Sequence, residues 1–558
     1  MNNKKVLPYL FAFLAACFGV YLHNLFLDFY IDDAALYGSL SKHMIATGDF
    51  LSLIHNHKDW LDKPHFPFWV TALFFKCFGV SSFTYFLPIT LSIFGSFIYT
   101  FKFAIKYYHK ITAWLSVFVL ATAQYTFMAS TEGRIEPYLM LAIIASIYHF
   151  DAGFHQKKKM HLTLVSVYVA MAIMTKGIFI IVPIFGGILG HLIYQQRNLN
   201  VFFSWRWLFI FGVTFIFILP EIYALYIQFD SQLEKEVFGK KGVSGIKWFL
   251  WDSQFSRLVN SGPITRAGGD VFFFLHTLMW AFFPWGILLY IAFYKRIKSI
   301  FTKTHIAENY TFFGGLLMLI LFSISKFQLP HYISIVFPFY AILVAHTLNN
   351  SLSKVQVKLV KGAQLLAIVL GVFLLIFLTI IAKTNLYFTS FCMLMFVFIA
   401  IKIYHTKLNN TFKLVLLSGF TSLVLNLYAS VKVYAKVSDY RAGIYTAEYL
   451  NKNYKLSSVA AIGKIPNLFD FYSNSPVVKY KTLPKNETLK SEFVLSFLID
   501  SVSTQEILKH YKVEKRFKHY NEENIQLKFF YPKKREQNLT EFVLYRREDA
   551  SLKMVTKL

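Results

Sequence analysis

Apolar positions in this chain come in long unbroken runs separated by short polar loops. Many of the runs reach 18–22 residues, the length an α-helix needs to cross the hydrocarbon core of a bilayer. Read run by run, the pattern predicts thirteen spans, near 6–27, 82–104, 111–130, 136–151, 161–176, 178–195, 207–227, 271–293, 309–325, 331–348, 363–382, 387–404 and 413–434. The stretch 161–195 reads as two short spans or one bent pair. A short basic start, Met1–Lys5, precedes the first run. That run continues through Phe26 with no small-residue cleavage site, so it reads as an uncleaved first span rather than a removed leader.

Two regions break the pattern. In the loop 28–81, residues Leu36, Leu40, Met44 and Ile45 recur three and four apart, which predicts an amphipathic helix over 33–46 lying on the membrane surface. The segment "FPFWVTALFFKCFGV" at 66–80 predicts a second such helix or a re-entrant piece. After about residue 435 the long runs stop. "SVAAIG" and "EFVLSFLI" read as short strands and "TAEYLNKNY" as an amphipathic helix. "KFFYPKKREQNLTEFVLYRRED" reads as a terminal hairpin. The predicted fold is a polytopic α-helical membrane domain over 1–435, followed by a small α/β domain over 436–558.

Composition agrees with this division. Of 558 residues, 56% are hydrophobic and the mean hydropathy is +0.47, outside the range of soluble domains. The net charge of +27 would suggest nucleic acid in a soluble chain. Here the basic residues cluster in short loops: Lys5, Lys106 to Lys110, Lys157 to Lys159, Arg197, Lys295 to Lys298, Lys354 to Lys361, and Lys402 with Lys407. These loops fall consistently on one side, as the positive-inside rule requires, so that side is cytoplasmic and no nucleic-acid partner is implied. The loops 28–81, 131–136, 228–270 and 325–331, and the C-terminal domain, then face outward, toward a periplasm or its equivalent. The expected location is the inner membrane. The three cysteines, Cys17, Cys77 and Cys392, suggest no disulfide framework.

The ionisable residues gather on that outer side. The first loop holds Asp32, Asp33, Tyr37, Lys42, Asp49, His55, His57, Asp59, Asp62, Lys63 and His65. Asp32 and Asp33 stand where acids stabilise the start of a helix, so capping explains the pair as readily as chemistry does. Lys63-Pro64 can be a helix entry. The second outer turn carries Glu132, Arg134 and Glu136 between two apolar runs, where charge is costly and marks function or interfacial snorkelling. Lys176 lies between two short spans and needs an anionic partner. Lys326, Gln328 and His331 sit at a proline-broken junction. Acids can act as bases or hold a divalent ion, and Lys and Arg can hold phosphate. This one-sided collection suits a lipid phosphate entering from the bilayer and a polar acceptor arriving from outside. The span midplanes carry almost no charge, which argues against an ion-coupled transporter.

In order and spacing these pieces resemble the GT-C glycosyltransferases that use polyprenyl-phosphate sugars, and more closely the ArnT-type and protein-mannosyltransferase-like bacterial enzymes. The family opens its first outer loop with an Asp followed by a helix containing Tyr, Met and then Gly-Asp. Counting back from Gly48-Asp49 through Met44 and Tyr37 places that Asp on Asp33, with Asp32 one residue before it. The family's Glu-Lys-Pro reads Asp62-Lys63-Pro64 here, followed by Phe68-Trp69. Its next acid corresponds to Glu136-Pro137. "MTKG" at 174–177, "FFPWGILL" at 282–289 and "SKFQLPHYISIVFP" at 325–338 match further family segments. One departure concerns a metal. The family's Glu-His ahead of an Arg reads Ser253-Gln254 ahead of Arg257, with Asp252 adjacent. The ordered motifs cover about residues 5–350.

The resemblance implies inverting sugar transfer from a polyprenyl (undecaprenyl) phosphate donor to a lipid A-like, glycolipid or other cell-envelope glycan acceptor. It makes Asp33 the general base, or an orienting group if the acceptor is itself a phosphate. Tyr37, Lys63, Arg134, Lys176, Arg257 and Lys326 would hold the lipid phosphate. Asp32, Asp62 and Glu136 would support them, and Asp62 with Gln254 is the candidate pair for a divalent metal ion. The competing expectations are a lipid-carrier flippase or transporter, a protein O-mannosyltransferase, and an assembly protein working through its outer domain.

Overall fold

The computed structural model describes residues 3–156, 158–195, 203–265, 269–350, 352–382, 386–454, 457–484, 489–521 and 526–548; Lys157 and Arg197 of the basic loops lie outside them. Among the described residues nine helices are long and apolar enough to cross a membrane, and ten if the pair Lys110–Thr122 and Gln124–Glu132, bent by 53°, is one span. The other three predicted spans are helical but differ in form. Lys159–Lys176 carries polar ends, and Tyr310–Ile324 is only 15 residues long. The run 271–293 is broken at Phe282–Trp285 into the helices Phe273–Ala281 and Gly286–Phe301. An apolar run counts span-length hydrophobicity but not a turn inside it. The chain is a multi-pass membrane protein. Glu136–Phe154 and Pro330–Asn349 are 83% and 94% buried and form the middle of the bundle.

The first outer loop folds as its periodicity predicts. The helix Asp32–Thr47 ends at Gly48, whose φ of +75° suits glycine. The helix Phe66–Phe78 follows, with a proline in its first turn. Both pack on one apolar cluster that includes Phe29, Tyr37, Leu40, Met44, Phe68, Phe75 and Tyr85.

The last membrane helix runs through Ser438, so the domain boundary falls slightly later than 435. Beyond it lie the helix Ala442–Asn453 and a five-stranded sheet: β1 Val459–Gly463, β2 Val477–Tyr480, β3 Phe493–Phe497, β4 Tyr511–Tyr520 and β5 Leu539–Arg547. The order is β2-β1-β3-β5-β4; β1 runs parallel to β2 and β3, and β5 antiparallel to β3 and β4. The predicted terminal hairpin is corrected in register. β5 pairs with the earlier β4, and the intervening "KFFYPKKREQ" forms the short helices Leu527–Phe530 and Pro532–Gln537. Pro532 occupies the first helical turn, where its fixed φ favours a helix start and its missing N–H costs no bond.

Candidate functional site

The outer segments converge. The second outer turn is built on Gly133, at φ +67°; a Cβ there would lie 2.8 Å from the Ala34 Cβ. Only glycine lets this turn reach the Asp32–Thr47 helix. The contact sets Arg134 against Asp33, with Arg134 Nη1 donating to Asp33 Oδ2 at 2.9 Å and Arg134 Nε donating to Glu132 Oε2 at 2.8 Å. Tyr125 Oη also donates to Glu132 Oε2, at 2.5 Å. Asp33 remains half exposed, at 47%.

A second group centres on Asp62. Its Oδ2 accepts from Lys63 Nζ, and its Oδ1 accepts from Arg257 Nη2 at 2.6 Å. Burial pushes the Asp62 carboxyl up, but Lys63 and Arg257 together hold it below the ordinary carboxylate range. Burial and the neighbouring Arg257 pull Lys63 down. Between the groups lies a buried pair: Lys176 Nζ donates to Glu136 Oε1 at 2.5 Å and stands 3.8 Å from the centre of the Tyr332 ring. His331 Nε2 lies 3.8 Å from the same Glu136 oxygen.

Of these side chains all but Glu132 and Tyr125 line one cleft of about 270 Å³, together with Tyr37, Trp60 and Phe327. Beside it runs an apolar groove of about 360 Å³, walled by Phe179, Val182, Leu250, Trp251, Leu258 and Leu321 among others. Lys176, Arg257, Phe327 and Tyr332 line both. Two cations therefore stand where a greasy channel opens into a polar chamber.

Of the residues picked out from sequence, Asp33, Tyr37, Asp62, Lys63, Arg134, Glu136, Lys176 and Arg257 meet in the cleft. Lys326 does not line it. Its side chain is exposed, and its backbone N–H donates to Leu258 O at 2.9 Å. The chain bends at Lys326 and Phe327, where Phe327 is buried and Lys326 exposed. Asp32 supports the site from the far side of its helix. It caps no bond of its own helix; its Oδ2 accepts from Asn467 Nδ2 at 2.7 Å and its Oδ1 from Leu468 N at 3.2 Å.

Gln254 shares a small pocket with Asp62. Its amide nitrogen donates to Ser253 Oγ at 2.5 Å. Both Asp62 oxygens are taken by cations. Among the described residues no group of three or more His, Cys, Asp or Glu side chains converges. This donor set does not fit a divalent ion, and no step is assigned to one.

Sequence reasoning gave no role to Trp60 or Tyr332 in the cleft, or to Tyr125 behind it. Tyr332 lies inside the matched "LPHYISIVFP" segment, which was the available signal. Tyr125 lies in an apolar run and gave none.

A family model described as dolichyl-phosphate-mannose-protein mannosyltransferase matches residues 62–223. The chain is 25% identical over 386 residues to an undecaprenyl phosphate-alpha-4-amino-4-deoxy-L-arabinose arabinosyl transferase of Pseudomonas fluorescens, covering 67% of this chain and 65% of that one. It is 24% identical over 321 residues to a protein of the same name from an Enterobacter species, covering 56% of this chain and 54% of that one. The matched region thus spans little more than half to two thirds of these relatives' length. The fold aligns with crystalline ArnT from Cupriavidus metallidurans bound to undecaprenyl phosphate at a TM-score of 0.72 and 16% identity, over 99% of this chain and 100% of that one. The chain thus shares the fold of that crystalline ArnT.

Proposed function

We propose that the protein is a lipid-phosphate-sugar-dependent glycosyltransferase of the inner membrane, working on its outer face. The observation that carries this reading is the wall shared by groove and cleft. A prenyl chain suits an apolar groove, and its phosphate would then lie at Lys176 and Arg257. That combination is the donor chemistry of a polyprenyl phosphate sugar, and the Pseudomonas and Enterobacter relatives carry undecaprenyl phosphate in their names.

The transfer is a single displacement. An acceptor oxygen attacks the anomeric carbon from the Asp33 side. The bond from that carbon to the lipid phosphate oxygen breaks, and the phosphate leaves with the electron pair. A hydroxyl acceptor gives its proton to Asp33 Oδ; an ionised phosphate acceptor carries none, and Asp33 then only orients it. Lys63, Arg257 and Lys176 meet the charge that builds on the phosphate, so no strong general acid is needed. Backside attack inverts the anomeric centre. Arg134 donates to Asp33 Oδ2 and orients its carboxylate. The acceptor is a cell-envelope glycolipid or glycan that presents a hydroxyl or phosphate.

The test is mass spectrometry of the lipid and surface-glycan fractions from cells with the gene, without it, and with Asp33→Asn. A sugar modification should be present in the first and absent from the other two. Identical profiles in all three would overturn the reading.

A further inference from the structure

The outer α/β domain lays one short helix, Asn467–Tyr472, along Asp32–Thr47, and elsewhere sets Leu527–Phe530 against the membrane helix Lys354–Ala382. Both ends of the short helix are held by side chains of the long one. At the N-terminal end, Asp32 accepts from Asn467 Nδ2 and from Leu468 N. At the C-terminal end, Lys42 Nζ donates to the carbonyls of Phe471 at 2.9 Å and Ser473 at 2.6 Å. An acid at the amide end and a cation at the carbonyl end complement the helix dipole. Asp32 and Lys42 are ten residues apart, which is about 15 Å along a helix. That length spans a six-residue helix together with the reach of both side chains.

Between the two ends the backbones approach closely. A Cβ on Gly38 would lie 2.7 Å from the Phe471 ring. Glycine inside a helix costs about 1 kcal/mol relative to alanine, and here it is what admits Phe471. The Phe471 ring packs on Phe29 at 4.7 Å. Tyr472 Oη donates to Asp28 Oδ1 and accepts from Phe29 N, both at 3.0 Å. His55 Nε2 meets Asn467 Oδ1 at 2.8 Å. The next residue after Asp32 is Asp33, about 100° round the same helix and facing the cleft.

We infer that the outer domain is a positioning element for the reaction. Asp32, Gly38 and Lys42 clamp the Asn467–Tyr472 helix, and the clamp fixes the rotation and depth of the helix that presents Asp33 and Tyr37 to the cleft. None of the three touches the substrate. This deepens the reading given under Proposed function, and it rests on that reading for turnover alone.

The test uses the full-length protein in nanodiscs and a role swap. Asn467→Asp sets a carboxylate against Asp32 and breaks the pair. Adding Asp32→Asn restores a donor and an acceptor with their places exchanged. Hydrogen exchange of residues 33–47 should rise about tenfold or more in N467D, as expected for losing a charge-assisted bond. It should return toward wild type in D32N/N467D. Turnover should follow the same fall and rescue, with the donor KM within about twofold. Unchanged exchange in N467D would overturn the clamp, whatever the reaction. Faster exchange with unchanged turnover would overturn the positioning role. If wild type itself turns over no lipid-phosphate sugar, the proposed function fails and the exchange arm alone still decides whether the clamp exists.

Discussion

Arg257→Met isolates the phosphate contact at the mouth of the groove. The guanidinium lines both the groove and the cleft and lies 19% exposed. Methionine keeps an apolar stem where the Arg257 side chain lies 6.0 Å from the Phe327 ring. The stability cost should be small, because Asp62 retains Lys63 after the change. Orphaning a buried charge costs about 3–5 kcal/mol, and this substitution orphans none. What is lost is a charge-assisted contact to phosphate, about 1.5–3 kcal/mol. That converts to a rise of about 10- to 150-fold in Kd. The assay is native mass spectrometry of undecaprenyl phosphate on the full-length protein in nanodiscs, with thermal unfolding of the unliganded variant measured in parallel. A Tm within a few degrees of wild type, with the expected loss of affinity, supports the phosphate position. A Kd within about twofold of wild type would refute the Arg257 contact and leave Lys176 as the one cation of the shared wall that holds the phosphate.

Other substitutions separate chemistry from structure. Asp33→Asn should cut single-turnover transfer by about 100-fold or more while leaving undecaprenyl phosphate binding within about twofold; transfer at the wild-type rate would remove Asp33 from the mechanism. Lys176→Met removes the hydrogen-bonded cation of the buried Glu136, and should destabilise the protein by about 3–5 kcal/mol. Adding Glu136→Gln should recover most of the Tm but not the lipid binding. For pH, burial raises the Asp32 carboxyl to about 6, although the Leu468 amide and Lys479 act the other way. Folding therefore favours its protonated form. The Asp32 contribution should fall as pH rises from about 4, the ordinary carboxyl value, through about 6. Asp32→Asn should flatten that stretch of a Tm-against-pH curve.

How much of this was legible in the sequence follows from what each signal measures. Apolar runs report burial in lipid or protein, so the membrane character and most helices were plain, while the turn inside 271–293 was not. Spacing along one helix reports its faces. Counting from Tyr37 and Met44 separated Asp33 from Asp32, and the structure places the first in the cleft and the second behind it. The partner of Asp32 lies 435 residues away in sequence, and nothing local announces it. Lys326 illustrates the opposite error. Its motif lines the cleft through Phe327, Leu329 and Tyr332, but motif membership does not say which way each side chain points. Glu132 stood in the same outer turn as Arg134, yet its part in fixing that guanidinium also draws on Tyr125, two turns back along the helix Gln124–Glu132.

The ion pairs give the cleft a direction. At one end two cations, Lys63 and Arg257, share the single carboxylate of Asp62. At the other, Arg134 is shared by two carboxylates, Asp33 and Glu132. Lys176 and Glu136 balance each other between them. The Asp62 group therefore carries one net positive charge in the cleft, and the Asp33 group one net negative charge once Glu132, outside the cleft lining, is counted with it. Cations held without partners in a partly dry site would be costly, so the resident acids keep them charged and in place before substrate arrives. Displacement moves charge along this axis. A phosphodiester becomes a monoester and gains negative charge as it leaves, and the base loses negative charge as it takes the acceptor proton. Both changes are favourable only if phosphate lies at the Asp62 end and acceptor at the Asp33 end. The apolar groove opens at Lys176 and Arg257, beside the positive end, so the lipid enters on the side where its charge will build. The reverse placement would set growing phosphate charge against Asp33 and Glu132 and strand a protonated base among the cations.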